Sequence, residues 1–146
     1  MNVIAHESNA AAMATPLRIL LVDDNVDAAE IMGVLLESLG HQVRTARDGV
    51  SGVQMARRFR PDLILLDVGL PTMNGYEAAR YLREQPETEH VVLVALTGYG
   101  QPEDRRRSQE AGFDLHVLKP LGMDSLLEIL NWADQISNHR RAAMKS

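Results

Sequence analysis

The chain has no cysteine, few aromatic residues, no surplus of positive charge and no long apolar run, and each absence removes a class of function. Without cysteine there is no disulfide framework, no thiolate metal site and no thiol nucleophile. Fifteen lysines and arginines against twenty aspartates and glutamates leave a net charge of −5. That is the wrong sign for a protein that grips nucleic acid by neutralising its phosphates. The apolar stretches are only a few residues long, far short of the roughly 20 that cross a bilayer. The first fifteen residues lack the basic leader and continuous apolar stretch of a secretory signal. The chain is 45% hydrophobic over 146 residues, enough to bury the core of one domain. A soluble, cytoplasmic single domain is the expectation.

Residues 1–16, small and polar without a sustained period, read as a flexible N-terminal arm. Order begins with the apolar run Leu17 to Val22, which stops at Asp23-Asp24-Asn25. An amphipathic stretch follows, with Ile31, Leu35 and Leu39 on one stripe, Met32 and Leu36 widening it, and Gly40 at its end. The same unit of strand, loop and helix recurs. Gln42 to Thr45 is a strand before a helix of about Asp48 to Phe59 that Pro61 stops. Leu63 to Leu66 is a strand ending at Asp67, before a helix of about Tyr76 to Glu84. Val91 to Leu96 ends at Thr97-Gly98, and Pro102 and Gly112 bracket the next helix. Leu115 to Leu118 ends at Lys119-Pro120. The last helix places Leu126, Leu130 and Ala133 on one face, ends near Ser137, and leaves residues 138–146 as a basic tail.

Five such repeats in about 120 residues predict a doubly wound α/β domain over residues 17–137, with five helices covering a five-stranded parallel sheet. Strands one, three and four are continuously apolar, as strands buried on both faces are. Strands two and five mix in polar residues, as edge strands do. The predicted order is therefore 2-1-3-4-5, the flavodoxin-like arrangement, in which ligands bind beyond the carboxyl ends of strands one and three.

Polar residues terminate the apolar strands at that edge: Asp23 and Asp24, Asp67, Thr97 and Lys119. Carboxylates gathered this closely repel one another unless a cation sits among them. An all-oxygen donor set that leaves room for water and phosphate suits Mg²⁺, with Mn²⁺ as a substitute, whereas zinc wants histidine or cysteine. A carboxylate, a hard cation, an ammonium and a hydroxyl together suit phosphoryl transfer to an aspartate. Asp67 is then the nucleophile, Asp23 and Asp24 hold the metal, Lys119 neutralises a phosphoryl oxygen and Thr97 donates to another. Each residue also has an ordinary explanation: a helix cap for the aspartates, a turn for Thr97, a solvated loop charge for Lys119. Four coincidences on one edge weigh against that.

These strings, Ile19 to Asn25, Asp67 to Gly75, Ala95 to Gly98 and Leu118 to Pro120, resemble the response-regulator receiver family, the CheY-like domains of two-component systems. The resemblance covers about residues 17–137. It implies that Asp67 is the phosphoacceptor and that Thr97 and Lys119 are switch residues. It also implies that the Gly69 backbone carbonyl completes the metal shell and that the Lys119–Pro120 bond is cis. Gly69 and Tyr99, which flanks Gly98, stand where the family tunes the lifetime of the acyl phosphate. His116 stands where many receivers carry a switching tyrosine or phenylalanine.

The implied function is a phosphorelay: Asp67 takes a phosphoryl group from a histidine kinase or a histidine phosphotransfer protein and switches a protein-binding surface. Expected are a monomer or a weak phosphorylation-dependent dimer, no nucleic acid, no membrane, and no turnover of small substrates. The Arg105-Arg106-Arg107 run reads as a solvated helix face. An N-terminal methionine leans toward a natural single-domain regulator, while the Ala95 to Gln101 string looks like receivers of hybrid kinases. One rival is a Mg²⁺-dependent aspartyl-phosphate phosphatase or phosphotransferase, but these place a second acid where Gly69 stands. A phosphate-independent scaffold would have lost Asp67 or Lys119, and a flavin carrier would lack the acidic pair after strand one.

Overall fold

The computed structural model describes residues 16–70, 73–98 and 102–145. The expected N-terminal arm up to Thr15, and Tyr99, lie outside the described residues. Five parallel strands, β1 (Arg18–Val22), β2 (Gln42–Ala46), β3 (Leu63–Asp67), β4 (Val92–Thr97) and β5 (Leu115–Leu118), form one sheet in the order 2-1-3-4-5. The helices between and after them are α1 (Val26–Ser38), α2 (Gly49–Phe59), α3 (Gly75–Glu84), α4 (Pro102–Ala111) and α5 (Met123–Lys145).

The unbroken apolar character of β1, β3 and β4 follows from the period of two. Ile19, Leu21, Leu63, Leu65, Val92 and Val94 face one layer, where Leu36 of α1 and Leu126, Ile129 and Leu130 of α5 close the core. Leu20, Val22, Ile64, Leu66, Leu93 and Ala95 face the other, against Val53 and Ala56 of α2, Ala78, Ala79 and Leu82 of α3, and Ala111 of α4. Every other residue of such a strand needs to be apolar for each layer, so both sets together leave no polar position. The edge strands β2 and β5 alternate or stay partly exposed, as their sequences anticipate.

Two expectations about helices are corrected. In α1 Leu36 is buried and Met32, Leu35 and Leu39 pack against the core as predicted, but Ile31 is 72% exposed and Ala29 and Gly33 are buried instead. A Cβ on Gly33 would meet Val43 and Leu21 at 3.7 and 4.0 Å, so this face of the helix lies against the sheet. Ile31, two residues away from Ala29 and from Gly33, is rotated by about 200° to the opposite face. The last helix does not end near Ser137 but runs to Lys145, so residues 138–145 are helix rather than tail. The basic residues that read as a solvated tail have partners. Arg140 donates to the Asp114 carboxylate at 2.7 Å and to the carbonyls of His90 and Val91, and Arg141 pairs with Asp62. A helix terminus also favours cations at its C-terminal end. Gly40 (φ 99°) and Gly112 (φ 102°) take the left-handed conformation expected after α1 and α4.

Candidate functional site

The register of the sheet brings the ends of β1, β3, β4 and β5 to one edge: Val22 pairs with Leu66, Asp67 with Leu96, and Thr97 with Leu118. Asp23, Asp67, Thr97 and Lys119 therefore leave the sheet side by side. Carboxylate oxygens of Asp23, Asp24 and Asp67 lie within 4.8 Å of one another. Asp24 is exposed and the other two are partly buried. Lys119 Nζ reaches into this group, 2.9 Å from Asp67 Oδ2 and 3.2 Å from Asp23 Oδ2. The Lys119–Pro120 bond is cis, as the resemblance implies.

Each side chain is held by local backbone chemistry. The Asp67 Oδ1 atom accepts from the Gly69 amide at 2.8 Å, which fixes the carboxylate and leaves Oδ2 to the lysine. Asp23 Oδ1 accepts from the Asn25 amide at 2.9 Å. The helix cap is supplied instead by Asn25, whose Oδ1 accepts from the Ala28 amide at 3.0 Å. The ordinary reading of Asp23 as a cap thus fails, because the cap is already filled. The Lys119 amide donates to the Thr97 carbonyl at 2.8 Å, tying the β5 end to the β4 end. Thr97 itself is buried at 3% exposure.

Partial burial pushes the Lys119 ammonium down, but the hydrogen bond and charge of Asp67, and then of Asp23, outweigh it and raise its pKa above the ordinary 10.5. The lysine is therefore a fixed cation at neutral pH. Ion pairs this open contribute about 0–1 kcal/mol, too little to explain the convergence as a stabilising device. Three carboxylates against one ammonium leave the cluster anionic. Its donors are all carboxylate oxygens, partly open to water, which fits a hard cation such as Mg²⁺ and not a soft one.

Gly69 borders Asp67: a Cβ there would lie 3.6 Å from Asp67 Oδ1, so any side chain at this position projects beside the carboxylate. Gly98, after β4, is exposed. His116, on the edge strand β5, is half-buried. Its Nδ1 shares a 2.7 Å hydrogen bond with Ser108 Oγ of α4, and its Nε2 is buried with no partner among the described residues. The arginine run on α4 is not wholly solvated either, since the Arg107 guanidinium sits 4.3 Å over the Tyr76 ring.

Sequence reasoning missed two supporting residues. Gly75 opens α3 against the loop after Asp67: a Cβ on it would lie 2.5 Å from Val68 Cα and 2.8 Å from the Asp67 carbonyl oxygen. Gly49 does the same at α2, where a Cβ would lie 2.1 Å from the Met73 carbonyl oxygen. Each glycine directly follows the residue that caps its helix, Asp48 or Asn74, and a glycine at that first helical position is the signal that was there to be read.

The family model described as the response regulator receiver domain matches residues 19–131. The chain is 34% identical over 114 residues to protein PilH of Pseudomonas aeruginosa, covering 78% of this chain and 94% of PilH. It is 36% identical over 122 residues to the gliding motility regulatory protein of Myxococcus xanthus, which covers 83% of this chain but only 16% of that protein. Among solved structures, the receiver domain of a Pseudomonas aeruginosa sensor histidine kinase has a TM-score of 0.74 at 36% identity. The match covers 82% of this chain and 99% of that one, which holds a magnesium ion in its active-site cleft.

Proposed function

The chain belongs to the response-regulator receiver family of two-component phosphorelays, and from that premise we propose that Asp67 is its phosphoacceptor and Asp23, Asp24 and the Gly69 carbonyl its Mg²⁺ ligands. The observation that carries this reading is Lys119 Nζ bridging Asp67 Oδ2 and Asp23 Oδ2 inside a three-carboxylate cluster. The proposed receiver unit is residues 17–137, with the rest of α5 docked back onto it.

In the reaction the N–P bond of a donor phosphohistidine breaks as a bond from an Asp67 oxygen to phosphorus forms. The electron pair of the broken bond leaves with the imidazole. The bound Mg²⁺ would supply charge neutralisation for the transferring group. Asp67 is pre-oriented by the Gly69 amide, so little entropy is lost on attack. Lys119 exchanges its contact with Asp67 for a phosphoryl oxygen, and the Thr97 hydroxyl donates to another. Thr97 and His116 then relay the change to α4 and β5, where the Ser108–His116 hydrogen bond already joins the two elements. Gly69 and Tyr99 tune the hydrolysis rate, Gly69 by offering no side chain beside Asp67 to screen the acyl phosphate from water. The donor is a histidine kinase or phosphotransfer protein in the cytoplasm, and the product is a switched protein surface rather than a released small molecule. Among the described residues no helix is long and apolar enough to cross a membrane.

Intact-protein mass after incubation with acetyl phosphate tests the reading. One added phosphoryl group is expected, lost without Mg²⁺ and lost in Asp67→Ala. An adduct that survives in Asp67→Ala would move the phosphoacceptor elsewhere. A beryllofluoride complex distinguishes fast hydrolysis from a phosphate-independent scaffold when no adduct accumulates.

A further inference from the structure

Helix α2 ends in an unusual way. Its C-cap is Arg60 in the left-handed conformation, φ 52°, the one non-glycine residue with positive φ among the described residues. Glycine, with no Cβ, adopts that backbone freely, and asparagine tolerates it because its short polar side chain can hydrogen-bond locally. A strained residue kept in place calls for a reason beyond the fold. Arg60 lines a cavity of about 890 Å³ between α2 and α3, together with Arg57 and Arg58. Helix-dipole stabilisation accounts for cations in the last turn, Arg57 and Arg58, but not for an arginine whose backbone is strained.

The cavity has two kinds of wall. Val53, Met73 and Tyr81 are its apolar lining residues, and Arg57, Arg58 and Arg60 its basic ones. Glu87 pairs with Arg57 at 3.1 Å, and no carboxylate pairs with Arg58 or Arg60 among the described residues. On a chain of net charge −5, two unmatched guanidiniums beside an apolar hollow form a local attractor for negative charge. We propose that this cleft is a docking site for an acidic, partly apolar segment of a partner protein, gripped by Arg58 and Arg60.

The chemistry selects that occupant. Guanidiniums match carboxylates bidentately, and arginine with tyrosine is the composition of binding hot spots. Nucleic acid would need a continuous basic stripe, and Glu87 interrupts this one. None of Asp23, Asp24, Asp67 and Lys119 lines the cleft.

The test is a titration of the full-length ¹⁵N-labelled chain with a synthetic helical peptide carrying glutamates on one face and leucines on the next. Amide signals of Val53, Arg58, Arg60 and Tyr81 should shift, and the glutamine counterpart of the peptide should leave them in place. Arg58→Glu with Arg60→Glu should weaken binding about 10-fold or more. Arg105→Glu, on α4, should leave it unchanged. Arg60→Gly separates function from folding: it should raise the urea midpoint by relieving the backbone while weakening the peptide. Shifts that centre on α4, equal binding of the glutamine peptide, or preferential binding of a single-stranded DNA 20-mer at the cleft would each overturn the proposal.

Discussion

Aspartates stand at the strand ends on both edges of this sheet, but their charge is treated in opposite ways. At the amino edge, Asp62 and Asp114 face Arg83, Arg140 and Arg141, two carboxylates to three guanidiniums. Asp114 accepts from Arg83 at 2.9 Å, from Arg140 at 2.7 Å and from the Leu93 amide at 2.9 Å, and Asp62 accepts from the Arg18 amide at 2.8 Å. At the carboxyl edge, Asp23, Asp24 and Asp67 share the single ammonium of Lys119. The first arrangement is satisfied within the chain and fastens α3, α5 and the starts of β4 and β5 together. The second is left short of positive charge and can be completed from outside. The two sets of acids are thus told apart by how fully the chain itself neutralises them.

The largest expected effects separate the edges by kind. Asp67→Asn should abolish the phosphoryl adduct while unfolding in urea at or above the parent midpoint, because it relieves crowding among like charges. Asp114→Ala should do the reverse. It strands two part-buried guanidiniums and the Leu93 amide, costing about 3 kcal/mol in urea unfolding, and the surviving folded protein should still accept phosphate. A chemically dead but stable Asp114→Ala would break the comparison.

Magnesium sharpens it next. A cation that binds only the folded chain stabilises it by about 2.7 kcal/mol at a hundred-fold excess over its dissociation constant. Thermal melts should show such a gain in the parent and lose it in Asp24→Ala. The smallest effects are those of pH. Burial pushes the Asp114 carboxyl up, but Arg140, the Leu93 amide and Arg83 outweigh it and hold its pKa below 3.8. Its contribution is therefore complete above 3.8 and lost as pH falls through the folded value. The Lys119 pKa is raised above 10.5, so its contribution is complete below 10.5 and lost as pH rises through the folded value. Acid unfolding should be blunted in Asp114→Asn and alkaline unfolding in Lys119→Met, each measured by circular dichroism against the parent.

The functional edge was more legible than the structural one. Asp23, Asp67, Thr97 and Lys119 each interrupt an apolar strand, and parallel topology forces the carboxyl ends of neighbouring strands together. Pattern and topology therefore located the cluster. Nothing comparable marks Asp62 or Asp114, which precede their strands where polar residues are ordinary, nor Arg140, which looked like tail. Their pairing joins residues 26 positions apart or more across separate elements, beyond any local signal. The face of α1 was misread for a related reason. Hydrophobicity pointed to Ile31, but the face turned to the sheet is that of Ala29, Gly33 and Leu36.

What the chain determined by itself is what short-range physics encodes. Period-two apolar runs made strands, glycines and prolines set their limits, and the repeat of the unit imposed a parallel sheet with one chemical edge. What only the tertiary structure decided is the arrangement of charges across elements. Lys119 enters among the aspartates, Arg140 and Arg141 turn a tail into the end of α5, and Arg60 lines a cleft. Burial energy depends on residue type and so is written locally. Ion pairing depends on distance between side chains that meet only once the sheet and its helices have packed.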